Sequence, residues 1–178
     1  YGKRLLVTLS KDGIEDIYMM DVPGGSLKRL TNEPSIEVSP SWSPDGRQFA
    51  FVSDRAGSPQ IYVKGIGENS ARRLTYEGGY NTSPAWSPRG NRIVYEGREG
   101  GRFQVFVIGV DGSLPPIRLT ADDSRNDSPA WSPDGRYIVF VSKRGGKSKL
   151  CVMNSNGMNV RVLHEGFDGY SYPSWSPR

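Results

Sequence analysis

Short runs of apolar and β-branched residues alternate with polar turns along the whole chain, without the apolar periodicity of a helix. The clearest apolar runs are Phe49-Ala50-Phe51-Val52, Ile93-Val94-Tyr95 and Ile138-Val139-Phe140-Val141. A Pro-x-Gly turn precedes each run, because proline presets one dihedral angle and glycine accepts a positive φ. Polar segments with glycine follow at 54–57, 98–101 and 143–146 and predict hairpin tips. The pattern therefore predicts an all-β chain of short antiparallel strands.

A Trp-Ser-Pro motif divides the chain into repeats. It returns after 44, 45 and 44 residues, at Trp42, Trp86, Trp131 and Trp175. Further strands are predicted in each interval, at 60–66, 103–108 and 149–153 and then at 72–75, 118–120 and 161–163. Four strands in about 44 residues is the size of one propeller blade. We predict a β-propeller of four four-stranded antiparallel blades, with units at about 1–38, 39–82, 83–127 and 128–171.

The two ends of the chain complement each other. Residues 2–13 align with 46–57, so the first unit lacks a tryptophan strand, whereas 172–178 carry a spare one. We predict that 172–178 form a terminal closing strand, which would protect sheet edges. A closed four-blade ring, an arc of a larger propeller and a ring shared with a second copy all fit the sequence. An incomplete propeller would expose apolar blade faces and favour self-association.

The repeated residues have structural explanations. We expect each indole to wedge between neighbouring blades, because aromatic side chains bury large apolar areas. The residues assigned to this framework are Trp42, Trp86, Trp131, Trp175, Pro44, Gly46, Pro133 and Gly135. Asp45 and Asp134 are expected to cap turns, and the single Cys151 to be a buried small hydrophobe.

Composition excludes several classes of function. The net charge of +4 is dispersed, and its one cluster, at 143–149, is expected to solvate a hairpin tip, so we predict no nucleic-acid partner. No apolar run approaches the roughly 20 residues of a membrane helix, which predicts no membrane span.

Catalytic signatures are scarce. His164 is the only histidine, so His-rich metal sites are excluded and any Ser-His-Asp triad would have to use it. No Gly-x-Ser-x-Gly elbow accompanies it, and a turn role beyond the last strand is the simpler interpretation. Asp122 and Asp123 are adjacent carboxylates, but a glycosidase needs its pair across a pocket. We predict no catalytic residue, no metal, no cofactor and no enzymatic activity.

The segments before each tryptophan strand differ most between units, at 32–38, 76–82, 121–127 and 165–171. In a propeller these loops would surround the channel mouth, and binding residues usually lie on such loops. Tyrosine, arginine and polar groups there suit a protein partner. The predicted partner-binding residues are Glu37, Tyr80, Asn81, Arg125, Asn126, Asp127, Asp168, Tyr170 and Tyr172. Solvated loops without a partner are the alternative.

The core Pro-x-Trp-Ser-Pro-Asp-Gly, its apolar strand and its Lys-Arg-Gly hairpin resemble the Tol-type WD-like repeat over the whole chain. Segments 6–13, 17–21 and 172–177 are similar to the C-terminal propeller of the TolB family. The resemblance implies a non-catalytic periplasmic protein of the Tol-Pal system, which serves cell-envelope integrity, cell division and protein transport. It also implies that a Pal-like lipoprotein binds at the channel mouth. Members of that family also carry an N-terminal α/β domain and a propeller of six blades, whereas the repeats of residues 1–178 account for four units.

Two other functions use similar repeats. One is a propeller that gates a prolyl-oligopeptidase-type serine hydrolase, whose triad would lie in a separate domain with a Gly-x-Ser-x-Gly elbow. The other is a propeller hydrolase with its chemistry in the channel, which would show a bound metal or turnover.

Overall fold

A computed structural model describes residues 2–11 and 13–176; Tyr1, Asp12, Pro177 and Arg178 lie outside the described residues. The described residues form fifteen strands in four antiparallel sheets and contain no α-helix. The prediction of an all-β chain of four blades is confirmed. No helix in this part of the chain has the length and apolar character needed to cross a membrane.

Each sheet is a meander whose strands pair in chain order. The first sheet contains β1 (Arg4–Lys11), β2 (Ile14–Asp21) and β3 (Leu27–Arg29). The second contains β4 (Glu37–Trp42), β5 (Gln48–Ser53), β6 (Gln60–Gly65) and β7 (Arg72–Arg73). The third contains β8 (Asn81–Trp86), β9 (Arg92–Glu99), β10 (Arg102–Gly109) and β11 (Ile117–Arg118). The fourth contains β12 (Arg125–Trp131), β13 (Tyr137–Arg144), β14 (Lys147–Asn154) and β15 (Arg161–Glu165).

The core lies between consecutive sheets. Three buried apolar clusters each combine residues of one sheet with residues of the next, as when Ile61 of β6 packs with Trp86 and Ile93 of the third sheet. Period-two alternation explains this arrangement, because each strand turns one set of side chains toward each neighbouring sheet. Cys151 is buried in the cluster between the third and fourth sheets, as predicted, and burial raises the pKa of its thiol.

The tryptophans lie where successive sheets meet. Trp86 is buried, and its indole N–H donates to the Gly90 carbonyl at 3.1 Å. The indole N–H of Trp131 donates across sheets to the Ala85 carbonyl at 3.1 Å. Trp42 is half-buried beneath the Arg4 guanidinium. Trp42, Trp86 and Trp131 share one cavity wall with Pro44, Pro88 and Pro133.

The Pro-Asp-Gly turns are capped by their aspartates, as predicted. Asp45 Oδ1 accepts the Ser43 hydroxyl at 2.6 Å and the Arg47 amide at 3.0 Å, and Asp134 accepts the equivalent pair. The hydrogen bond from Ser43 contributes most to lowering the pKa of Asp45. Gly46 and Gly135 have φ values of 66° and 67°, which suit glycine.

Predicted boundaries were wrong at hairpin tips and at the last strands. Residues 98–99 belong to β9 and residues 143–144 to β13, because each hairpin tip is a two-glycine turn, Gly100-Gly101 or Gly145-Gly146, in which both residues have positive φ. The last strands of the second and third sheets, β7 and β11, end before the Leu-Thr pairs at 74–75 and 119–120, which were predicted to belong to them. Thr75 leaves the ladder because its hydroxyl, rather than a backbone carbonyl, accepts the Ile61 amide at 2.9 Å.

The closing strand predicted at 172–178 does not form in the described residues. Residues 172–176 contain no strand, the first sheet has three strands, and Pro177 and Arg178 lie outside the description. Trp175 nevertheless packs against the fourth sheet, because its indole N–H donates to the Ala130 carbonyl at 3.2 Å. This repeats the bond that Trp131 of β12 makes to Ala85 of the preceding sheet.

Candidate binding site at the channel mouth

Equivalent Ser-Pro pairs from successive repeats converge on one cavity of about 290 Å³, here called the channel cavity. Its lining consists of Ser39, Pro40, Ser83, Pro84, Ser128, Pro129, Tyr172 and Pro173. This convergence places the first strand of each complete sheet nearest a common axis. Tyr172 is the equivalent of these serines in the last repeat, because it precedes Pro173 and Trp175 as Ser39 precedes Pro40 and Trp42.

The residue before each of these prolines has an unusual backbone. Ser39, Ser83, Ser128 and Tyr172 have φ values of 55°, 52°, 52° and 48°. The pairing register of β4, β8 and β12 shifts at these serines, which is the mark of a β-bulge. Left-handed non-glycine residues persist only where the surrounding structure holds them, and they concentrate at functional sites. The channel wall is therefore built from a repeated, constrained bulge.

A second cavity, of about 270 Å³, adjoins the channel cavity and shares Ser128 and Tyr172 with it. We call it the mouth cleft. Its lining consists of Glu96, Arg125, Asp127, Ser128, Val141, Lys143, Ser148, Asp168, Gly169, Tyr170, Ser171 and Tyr172. Five of the nine predicted partner-binding residues are in this lining: Arg125, Asp127, Asp168, Tyr170 and Tyr172.

An aromatic ridge extends from the mouth cleft toward the second sheet. The Arg125 guanidinium lies over the Phe103 ring at 5.0 Å and its Nε donates to Asp127 Oδ2 at 2.6 Å. Tyr80 meets the same phenyl ring edge-on at 5.5 Å. Phe103 thus connects the predicted residues Tyr80 and Arg125. The sequence analysis did not predict a role for Phe103.

The opposite wall of the cleft is the segment after β15. His164 lies in β15 and not in a turn, and its Nδ1 is 2.5 Å from the Tyr170 hydroxyl. Phe167 stacks on the imidazole at 5.6 Å, and the Asp168 carbonyl accepts the Ser148 hydroxyl at 3.3 Å. These contacts hold Tyr170 beside the cleft, while Tyr172 is 79% exposed.

The structure buries three of the predicted partner-binding residues. Glu37 is ion-paired with Arg55, while Asn81 donates to Gln60 Oε1 at 2.8 Å. Asn126 donates to Gln104 Oε1 at 3.0 Å in the same way. Their burial differs from the prediction because β4, β8 and β12 begin at or before these positions, so the side chains turn inward as strand residues.

Known proteins with similar sequences and structures are also propellers. The sequence matches the TolB beta propeller domain family over residues 1–178. The chain belongs to the TolB beta-propeller family. The structure of a protein assigned as TolB from Agrobacterium tumefaciens is similar with a TM-score of 0.86 and 30% identity, over 98% of this chain and 67% of that one.

Other TolB proteins resemble shorter parts of this TolB-type propeller. TolB from Acinetobacter baumannii has a TM-score of 0.75 and 34% identity, over 88% of this chain and 39% of its own. The Tol-Pal system protein TolB of Wolinella succinogenes is 41% identical over 58 residues, which are 33% of this chain and 14% of the relative. This chain therefore matches only part of each longer relative. A structure from a study of prolyl endopeptidases shares the fold at 16% identity, with a TM-score of 0.68.

Glu96 is a residue of this TolB-type propeller that sequence reasoning missed. It is only 8% exposed on β9 and lines the mouth cleft. Val52 and Val141 occupy the equivalent positions of the second and fourth sheets. A glutamate where these repeats have valine was the sequence signal that could have identified this residue. Burial raises the pKa of Glu96, against the opposing effect of hydrogen bonds from the Ser128 amide and the Ser83 hydroxyl.

The adjacent carboxylates at 122 and 123 have separate partners. Asp122 pairs with Arg144 and accepts the Asn126 side-chain amide at 2.8 Å, whereas Asp123 lies 3.7 Å from Arg102. Across residues 2–11 and 13–176, no group of three or more His, Cys, Asp or Glu side chains has the arrangement of a metal site.

Proposed function

We propose that this propeller is a non-catalytic, protein-binding domain of the Tol-Pal cell-envelope system, that it acts in the periplasm, and that a Pal-type lipoprotein binds at its mouth cleft. Family membership over residues 1–178 and a relative described as a Tol-Pal system protein support the assignment to this system. The observation that carries the binding site is the mouth cleft itself, in which predicted residues of β12 and of the segment after β15 come together beside the channel cavity.

The chemistry of this surface suits a protein partner. Tyrosine and arginine dominate the binding energy of protein interfaces, because they combine large contact area with directed hydrogen bonds. The aromatic ridge and Tyr170 present such side chains on both sides of the cleft. Tyr172 lines both the cleft and the channel cavity, so a partner entering the channel mouth would contact it.

Replacing Tyr172 by alanine tests the proposal. We expect Y172A to weaken the binding of the soluble domain of a Pal-type lipoprotein about tenfold or more, the loss typical of an aromatic interface residue. Titration calorimetry with purified proteins measures this loss. Met158 is also exposed, at 64%, but lies outside the cleft, between β14 and β15, so M158A is the control and should bind like the wild type. Equal affinity for Y172A and the wild type would rule out binding at this mouth.

The gating propeller of a serine hydrolase is the alternative. Similarity to the prolyl endopeptidase structure, at 16% identity, concerns the fold alone. We therefore favour the Tol-Pal assignment, which is supported by relatives of 30% identity and more.

A further inference from the structure

The described residues include three buried carboxylates, and two of them form ion pairs whereas the third does not. Asp16 is ion-paired with Arg29, and Glu37 with Arg55. Glu96 has no cationic group of the described chain within ion-pair distance. A buried charge is costly unless a counter-charge and hydrogen bonds compensate it. Glu96 has hydrogen bonds but no ion pair within the described chain.

The two hydrogen bonds to Glu96 leave acceptor capacity unused. Its Oε1 accepts the Ser83 hydroxyl at 3.1 Å, and its Oε2 accepts the Ser128 amide at 2.9 Å. An ionised carboxylate has about four acceptor sites, so about two remain for a group that enters the cleft. The bonds also fix the carboxylate between the channel-lining serines of two consecutive sheets.

The charged and titratable groups around Glu96 do not neutralise it. They come from β12, β13 and the segment after β15, and are Arg125, Asp127, Lys143, Asp168, Tyr170 and Tyr172. Arg125 is already bonded to Asp127 at 2.6 Å, and Lys143 is exposed at the rim. Asp127 acts on Glu96 as a like charge and raises its pKa, and Arg125 acts in the opposite direction with a smaller effect. With these groups ionised, the cleft carries three carboxylates and two cations.

The position of Glu96 in the meander does not by itself require a carboxylate. Valine occupies the equivalent sites, 52 and 141, of two other sheets that form the same meander. A residue that departs from the repeat, costs solvation energy and lines a cavity is better explained by what enters the cavity.

We propose that Glu96 binds a positively charged side chain, an arginine or a lysine, of the protein that occupies the mouth cleft. The inference rests on the proposed function, since it specifies the chemistry of that partner. The incoming cation supplies the counter-charge that Arg29 and Arg55 supply to the other two buried carboxylates. A side chain suits this site better than a metal ion, because the acidic residues of the described chain do not cluster as metal ligands.

Protonation should control this contact. Burial raises the pKa of Glu96, so at a given acidic pH a larger fraction of its carboxyl group is neutral than in an exposed glutamate. A cation binds the ionised form, so affinity should increase as the pH rises through the pKa of Glu96. Binding should in turn release a proton where Glu96 is partly protonated.

The experiment uses two blocked tripeptides as probes, acetyl-Gly-Arg-Gly-amide and its neutral citrulline counterpart. NMR titration follows the backbone amide of Ser128 between pH 5 and pH 8. We expect the arginine peptide to shift this resonance, with an affinity that rises with pH and exceeds that of the citrulline peptide about tenfold. E96Q should abolish both the preference and its pH dependence. E99Q, on the same strand but exposed in the Glu99–Arg118 pair, should behave like the wild type.

E96V is a second variant, which controls for loss of binding through misfolding. It carries the valine found at this position in the neighbouring repeats, so it should fold but lose the preference for the arginine peptide. Equal binding of the two peptides, or an unchanged arginine preference in E96Q or E96V, would overturn the inference. A Pal-type lipoprotein that fails to bind the wild type, with the peptide results as expected, would instead overturn only the proposed partner. Tight lipoprotein binding unaffected by E96Q would overturn only the role of Glu96.

Discussion

A buried polar lock recurs between the strands of three sheets, and Thr75→Val tests how much it stabilises the fold. The Thr75 hydroxyl accepts the Ile61 amide at 2.9 Å and donates to Gln60 Oε1 at 2.8 Å. Asn81 donates to the same Gln60 oxygen at 2.8 Å, which ties the third sheet to the second. Thr31 and Thr120 make the equivalent bonds to Ile17 and Val105.

Valine has nearly the shape of threonine, so the substitution removes hydrogen bonds without opening a cavity. The Ile61 amide is then buried without an acceptor, which costs about 1–3 kcal/mol. Gln60 also loses one of the two donors to its oxygen, and the added methyl group offsets part of the loss. We expect a decrease of about 2 kcal/mol in the free energy of unfolding, a large part of the ~5–15 kcal/mol of an ordinary domain.

Urea unfolding followed by tryptophan fluorescence measures this change. With a slope of about 2 kcal/mol/M, the midpoint should fall by about 1 M while the slope stays constant. Thr82→Val is the control, because Thr82 is half-buried on β8 and has no side-chain hydrogen bond within the described chain. A midpoint for T75V that matches the control within error would refute the stabilising role of the lock.

Three further outcomes follow from particular residues. Gly135→Ala should lower stability by about 1 kcal/mol in thermal unfolding, because φ is 67° and a Cβ would lie 3.3 Å from Pro88; an unchanged melting temperature would contradict this. Because the pKa of Glu96 is raised in the folded state, wild type should gain stability over E96Q as the pH falls from about 7 toward 4.5, and pH-independent differences would exclude this linkage. Cys151 should react with a thiol reagent only after unfolding, since it is buried and its pKa is raised; rapid labelling of the native protein would refute its burial.

The fold was predictable because its information is local and repeated. Pro-Asp-Gly turns, two-residue periodicity and the spacing of Trp42, Trp86 and Trp131 specify a hairpin and a blade length without reference to distant residues. The same local logic failed at strand ends. There a backbone carbonyl and a side-chain oxygen compete as hydrogen-bond acceptors. At Thr75 the outcome depends on which acceptor the tertiary structure places within hydrogen-bonding distance of the Ile61 amide.

The candidate site was only partly predictable. Variation between repeats correctly directed attention to the segments before each tryptophan strand, and five of the residues chosen line the mouth cleft. Loop position alone could not separate inward from outward side chains, so Asn81 and Asn126 were grouped with exposed Tyr172. Glu96 was overlooked because it lies within a strand, where a carboxylate attracts notice only against the valines of the other repeats.

By itself, the sequence determined the all-β repeat, the blade length and the turn chemistry, since each depends on neighbours along the chain. Tertiary structure alone decided which side chains share the mouth cleft, because residues of β9, β12 and the segment after β15 meet only when consecutive sheets pack. It also placed the Trp175 indole against the fourth sheet, where the carbonyl of Ala130 accepts its N–H. Charge pairing and the direction of side chains at strand ends are properties of that packing, and no local pattern encodes them.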